Sequence, residues 1–195
     1  MARLERGRPR DPGNDAAILD AALDLLIERG AAGASIEAIA RRSGVGSKVT
    51  VYRRWKSKED LLMAALEHAR GPESDPDDTS LEMLIDTTAA SLSDARFRTL
   101  MVRVIGASVE YPALVDAYTD RHLRPRLDTL ALVARASVAS GDFPPDTDPA
   151  VIEDAFAGAI GVVLLRRDTA PRIAARLRAT LSQLGYRPQR RPESR

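Results

Sequence analysis

Residues 35–62 read S-I-E-A-I-A-R-R-S-G-V-G-S-K-V-T-V-Y-R-R-W-K-S-K-E-D-L-L, and the rest of the chain is organised around them. Ser35 is a helix-capping residue, followed by Ile36, Ile39 and Ala40 on one face of a short helix that Gly44 stops. A second helix is expected from near Ser47, with Val51 and Trp55 turned toward the core at a four-residue spacing. Lys48, Val49, Thr50, Tyr52 and Arg53 are left around its open sides. A helix anchored along one edge, with hydrogen-bonding side chains on the rest, fits a DNA major groove. From Arg41 to Lys58 the chain carries seven basic residues (Arg41, Arg42, Lys48, Arg53, Arg54, Lys56, Lys58) and no acid, so a polyanionic partner is expected.

The formal net charge of +1 conceals an asymmetry. Residues 1–70 hold 13 Lys and Arg against 10 Asp and Glu, net +3, while the remainder hold 16 against 18, net −2. A basic head on a slightly acidic body suits a polyanion that meets the head alone. The absence of cysteine excludes disulfides and thiolate chemistry, and two histidines, His68 and His122, are too few for most metal sites, so neither metal nor cofactor is expected. Neither histidine has a Glu three residues before it, and there is no P-loop and no G-x-S-x-G, so no catalytic residue is assigned and the chain is read as a non-enzyme. No apolar run approaches the roughly 18 residues of a membrane span. The N-terminus is arginine-rich rather than a signal peptide, and the chain is read as cytoplasmic with no membrane partner.

Working outward, residues 1–13 lack an apolar period and are expected to be a disordered basic arm. Within them Arg6-Gly7-Arg8-Pro9 resembles the core of an AT-hook, in which Arg6 and Arg8 lie in a narrow minor groove; a solubilising tail is the alternative. Asn14 or Asp15 caps a helix over 16–29 with Ile18, Ala21, Ala22 and Leu25 inward, and Gly30 closes it. Asp20, Asp24 and Glu28 read as a solvated stripe without a role. Ser57 with Asp60 opens a fourth helix running through Ala69. Residues 71–80 are acidic and contain proline, which marks the best boundary in the chain.

Thr79 with Glu82 then opens a run of helices over 80–92, 95–108, 112–140, 149–166 and 170–184, with no strand candidate. Pro125 should kink or divide the long one. Asp148-Pro149 is a cap followed by proline, and Gly141 and Gly185 sit where helices stop. The tail from Tyr186 is rich in Arg and Pro and is expected to fray. The fold class is all-α, divided as an arm (1–13), a helix-turn-helix head (14–56), a connecting helix and acidic loop (57–78), a helical body (79–186) and a tail (187–195).

Ile18-Leu19, Ala21-Ala22, Gly30, Ser35-Ile36, Ile39-Ala40, Gly44-Val45, Thr50-Val51-Tyr52, Trp55 and Ser57-Lys58-Glu59 together resemble the N-terminal domain of the TetR (tetracycline repressor) family of bacterial transcription regulators. The resemblance implies a three-helix DNA-binding domain, a connecting helix, and a helical body that binds a small-molecule effector and forms a homodimer. The implied function is a ligand-responsive repressor on a palindromic DNA operator; a DNA-binding regulator that senses a partner protein instead of a small molecule is the alternative. Carried over by position, Ser35 contacts a phosphate, and Tyr52 and Lys58 also hold the DNA backbone. Ser47, Lys48, Val49 and Thr50 face base edges or flanking phosphates, with Arg53 beside them. One departure is Gly46, an extra residue relative to the family's Gly-Val-Ser-x-x-Thr-hydrophobic-Tyr pattern. A turn absorbs such an insertion more cheaply than a helix, which would rotate by roughly 100°.

The resemblance also implies a pocket among the body helices. Candidates to line it are Phe97, Met101, Arg103, Tyr111, Tyr118, His122 and Phe156, with Arg103 meeting an anionic effector or reaching solvent. For the dimer, the small residues of 151–165 let another helix approach closely. Ala155, Gly158, Val162 and Leu165, paired with Ile173, Leu177, Leu181 and Leu184, are expected to form a four-helix interface across a twofold axis; packing within one chain is the alternative.

Overall fold

The computed structural model describes residues 12–45, 47–69 and 79–188. Among them every regular element is helical. Arg6, Arg8 and Gly46, most of the acidic loop expected over 71–80 and most of the tail lie outside the described residues. No helix among the described residues is long and apolar enough to cross a membrane.

The first compact unit contains α1 (Pro12–Gly33), α2 (Ile36–Arg42), α3 (Lys48–Tyr52), α4 (Lys58–His68) and the segment Ala107–Leu114. Helix α1 begins at Pro12, so Asn14 and Asp15 lie in its first turn rather than capping it, and Asp15 there complements the helix dipole. Its regular part ends where expected, because Gly30 has φ 72° and ψ 178°, a backbone geometry that only glycine adopts without strain. Three serines set the next three starts. Ser35 Oγ accepts from Ala38 N at 3.2 Å, Ser47 Oγ from Val49 N at 3.2 Å, and Ser57 Oγ from Asp60 N at 3.0 Å. Each satisfies one of the orphan donors of a helix start. Ile18, Leu26, Ile39, Val51, Leu61 and Leu62 are fully buried and form this unit's core.

The acidic stripe of α1 is not merely solvated, as the sequence had implied. Arg42 Nη1 and Nη2 donate to Glu28 Oε2 and Oε1, each at 2.6 Å, and Asp20 Oδ1 lies 3.3 Å from His68 Nε2. These pairs tie α1 to α2 and to α4. Helix α3 stops at Tyr52, short of the expected span, although Trp55 N still donates to Val51 O at 3.1 Å.

The second unit holds α5 (Leu81–Ser93), α6 (Ala95–Gly106), α7 (Pro112–Tyr118) beyond Leu114, a π-helical turn (Thr119–Leu123), α8 (Arg124–Ala139), α9 (Pro149–Leu164) and α10 (Ala170–Ser182). Ser80, not Thr79, caps α5, accepting from Met83 N at 3.2 Å. Asp148 caps α9, accepting from Ala150 N at 2.9 Å, with Pro149 at the first helical position. The expected single helix over 112–140 is divided, and the division takes a specific form. The chain widens into the π turn directly before Pro125, where Arg124 N bonds back to Thr119 O. Widening the spiral accommodates a residue that has no N–H and clashes with the preceding turn.

The body core is built from Ile85 and Ala89 of α5, Val133 and Ala134 of α8, Ile152, Phe156 and Val163 of α9, and Ile173, Leu177 and Leu181 of α10. This corrects the expected dimer interface: Ile173, Leu177 and Leu181 are at most 1% exposed, spent on packing within one chain. Leu184 also packs against this core. Phe156, a pocket candidate, is likewise core, and Phe97 packs against it. The tail does not fray at Tyr186. Its ring lies 5.0 Å from that of Phe143, and Arg187 N donates to Asp142 O at 2.8 Å.

Candidate nucleic-acid interface

The candidate surface begins with α3. Val51 is fully buried, and it fixes the helix's rotation so that Lys48, Val49 and Tyr52 are exposed, Val49 to 63% and Tyr52 to 52%. Thr50 is half-buried, and Ser47 is exposed at the helix start. An exposed valine and tyrosine on a five-residue helix have no packing reason to be there; they suit contact with something outside the chain. Because α3 opens at Lys48 with Ser47 as its cap, the residues expected to meet base edges share one short exposed helix.

The basic run divides into two groups. Arg54 points inward, its Nη1 donating to Thr50 O at 2.9 Å and its Nε pairing with Asp15. Arg42 is engaged by Glu28. These two arginines position α3 and α2 and are not part of the outward charge. Lys48 Nζ lies 3.4 Å from Glu37 Oε1, and the Glu37 carboxyl is held below the usual range, first by a backbone hydrogen bond and then by the Lys48 ammonium. Arg41, Arg53 and Lys56 are exposed and have no ion pair among the described residues. They are the outward cations of the run.

Ser35 is half-buried, its Oγ engaged as the cap of α2. Lys58 is placed differently from the rest. Its ammonium donates to Ala31 O at 3.0 Å and to the Tyr111 hydroxyl at 2.9 Å, and it lies 4.1 Å from the centroid of the Tyr111 ring. Tyr111, expected among the pocket residues, therefore belongs to the head's unit.

Of the other pocket candidates, three converge in the second unit. The Tyr118 hydroxyl donates to Met101 Sδ at 3.0 Å, and the Tyr118 ring lies 5.1 Å from the ring of His122, which the π turn carries into a buried position. Burial pushes the Tyr118 hydroxyl's pKa up. Arg103 is exposed.

Of the expected interface residues, Val162 and Leu165 are 50% and 83% exposed. Gly158 is exposed and Ala155 half-buried. With Val151, which is also exposed, they run along one face of α9 and its end at intervals of three or four residues. Val151 was missed in the sequence, although the same spacing extended one turn earlier leads to it.

The family model described as "Bacterial regulatory proteins, tetR family" matches residues 18–65, and that described as "Tetracyclin repressor-like, C-terminal domain" matches residues 72–184. An uncharacterized HTH-type transcriptional regulator, YdeS of Bacillus subtilis, is 33% identical over 165 residues, 83% of each chain. Among solved structures, Salmonella enterica GusR superposes with a TM-score of 0.69 at 23% identity, covering 92% of this chain and 98% of that one. FadR of Bacillus subtilis in complex with stearoyl-CoA superposes with a TM-score of 0.65 at 18% identity, covering 86% of this chain and 96% of that one.

Proposed function

The chain belongs to the TetR family of bacterial regulatory proteins and is a helix-turn-helix transcriptional regulator, and on that footing we propose that it is a homodimeric repressor whose hold on a palindromic operator is released by a small effector. The observation that carries the DNA half of this reading is the exposed face of α3. Lys48, Val49 and Tyr52 stand outward on it, with Ser47 at its start and Arg53 just after its end. Thr50, Ser35 and Lys58 complete the contact set. Base-edge readout falls to Lys48, Val49 and Thr50; the serines, Tyr52, Arg53 and Lys58 hold phosphates.

Two heads reading a palindrome would stand roughly 34–36 Å apart, one turn of DNA. The α9 stripe of Val151, Ala155, Gly158, Val162 and Leu165 is the surface that brings two chains together, with the small residues at its centre permitting close helix approach. The Met101, Tyr118 and His122 cluster is the polar lining for an effector. A thioether, a phenol and an imidazole favour a largely apolar molecule with one or two polar groups, and FadR of Bacillus subtilis, which shares this fold, is described in complex with stearoyl-CoA.

The direct test is the salt dependence of duplex binding by fluorescence anisotropy. If the head neutralises several phosphates, the logarithm of affinity falls linearly with the logarithm of salt at about 0.9 per phosphate contacted. An affinity indifferent to salt would refute the proposal.

A further inference from the structure

We propose that Lys58 is a shared cation: in the DNA-free chain Tyr111 and Ala31 hold its ammonium, operator DNA takes it from them, and the Ala107–Leu114 segment thereby sets the affinity of the head. The proposal rests on the regulator reading, in which Lys58 is a phosphate contact, and it names how that contact is controlled.

The geometry that carries it is compact. Lys58 is the first residue of α4 and is half-buried. An ammonium has three donors, and here two are engaged, one by Ala31 O at 3.0 Å and one by the Tyr111 hydroxyl at 2.9 Å. The ring of Tyr111, with its centroid 4.1 Å from the nitrogen, adds a favourable face. In this proposal the ammonium gives up the Tyr111 hydroxyl to meet a phosphate, rather than reaching it with its one remaining donor. Phosphate is the stronger partner, because it brings a full opposite charge to the ammonium, which a carbonyl, a phenol and a ring do not. The cradle therefore lowers DNA affinity without abolishing it.

Tyr111 is itself anchored. Its N–H donates to Ala107 O at 2.8 Å, its carbonyl accepts from Leu114 N at 3.1 Å, and Ala107 and Leu114 are buried. The chain enters this segment from α6, which carries Met101, and leaves it through α7, which ends at Tyr118. Those two side chains are bonded to each other. Linkage makes the effect reciprocal: whatever strengthens the Tyr111 hold on Lys58 weakens DNA binding, and DNA weakens that hold.

The test measures binding of the full chain and three variants, Tyr111→Phe, Lys58→Ala and the double substitution, to a labelled mixed-sequence duplex of about 30 base pairs over a range of salt. Phosphate contacts are sequence-independent, so no operator is needed. Tyr111→Phe removes the hydroxyl acceptor, keeps the ring, and is expected to raise affinity about threefold to tenfold at an unchanged salt slope. Lys58→Ala is expected to lower affinity and to reduce the slope by about 0.9. In the double variant the tyrosine substitution should have no further effect. Unchanged affinity in Tyr111→Phe, or an equal gain with and without Lys58, would overturn the proposal while leaving the regulator reading intact. Failure of the unmutated chain to bind any duplex would overturn the regulator reading, and this proposal with it.

Discussion

The Tyr186 hydroxyl donates to Glu82 Oε1 at 3.0 Å, joining residues 104 positions apart, while Arg178 Nη2 lies 2.7 Å from Glu82 Oε2 and from Asp86 Oδ1. Together they staple the end of the body and α10 to α5. Burial first, and then the Glu82 carboxylate, push the Tyr186 phenol pKa up. A phenol whose pKa is raised on folding contributes stability that is fully present below its unfolded value of about 10 and is lost as pH rises beyond it. The unfolding midpoint should therefore fall above about pH 10, and less steeply in Tyr186→Phe. Parallel pH profiles for the two chains would disprove this role.

Arg54 should prove a positioning residue. Its side chain is only 12% exposed and joins Thr50 O and Asp15, holding the end of α3 against the start of α1. Arg54→Ala is expected to cost about 2 kcal/mol in urea unfolding, because it leaves a carboxylate and a carbonyl without their charged donor. DNA affinity should fall with the salt slope unchanged. Arg53→Ala should instead leave stability intact and reduce the slope by about 0.9.

Two glycines should respond oppositely to alanine. Gly185 has φ 88°, and a Cβ there would lie 2.7 Å from Pro144 Cδ, so Gly185→Ala is expected to destabilise by about 2 kcal/mol. At Gly158 a Cβ meets nothing within 4 Å in its own chain, so in a Val162→Glu background that keeps the chain from pairing, Gly158→Ala should leave the fold as stable, or more stable by up to about 1 kcal/mol. Urea denaturation of both variants checks the pair.

Charge placed on the α9 stripe should prevent self-association. Val162→Glu or Leu165→Glu adds a carboxylate at a position already exposed in one chain, so the fold should tolerate it while the dimer does not. Light scattering is expected to report twice the 21.2 kDa chain mass for the unmutated protein and the single mass for each variant, with unchanged circular dichroism. A dimer that survives both substitutions would place the interface elsewhere.

What the sequence disclosed was local. Ser35, Ser47, Ser57 and Asp148 announce helix starts because a cap needs only its own side chain and an amide two or three residues on, and Gly30, Gly141 and Gly185 announce stops in the same way. What stayed hidden depended on partners far along the chain. Arg42 and Arg54 count as outward charge until Glu28 and Asp15, 14 and 39 residues distant, are seen to bind them. The apolar pattern of α10 shows which face is apolar but not what covers it, so Ile173, Leu177 and Leu181 were as compatible with a second chain as with their own core. Tyr111 joined the head through a contact 53 residues long. The π turn has no compositional mark; Pro125 warned of a break without giving its form.

The central claim is tested most directly by selecting bound duplexes from a random pool with the purified chain at moderate salt and sequencing them. The account predicts an enriched near-palindrome with half-sites one helical turn apart, about 10 base pairs centre to centre, with loss of enrichment when Lys48 is replaced by alanine and uniformly weaker binding when Tyr52 is. Recovery of no enriched sequence would contradict it, and would mean that the exposed face of α3 does not read DNA.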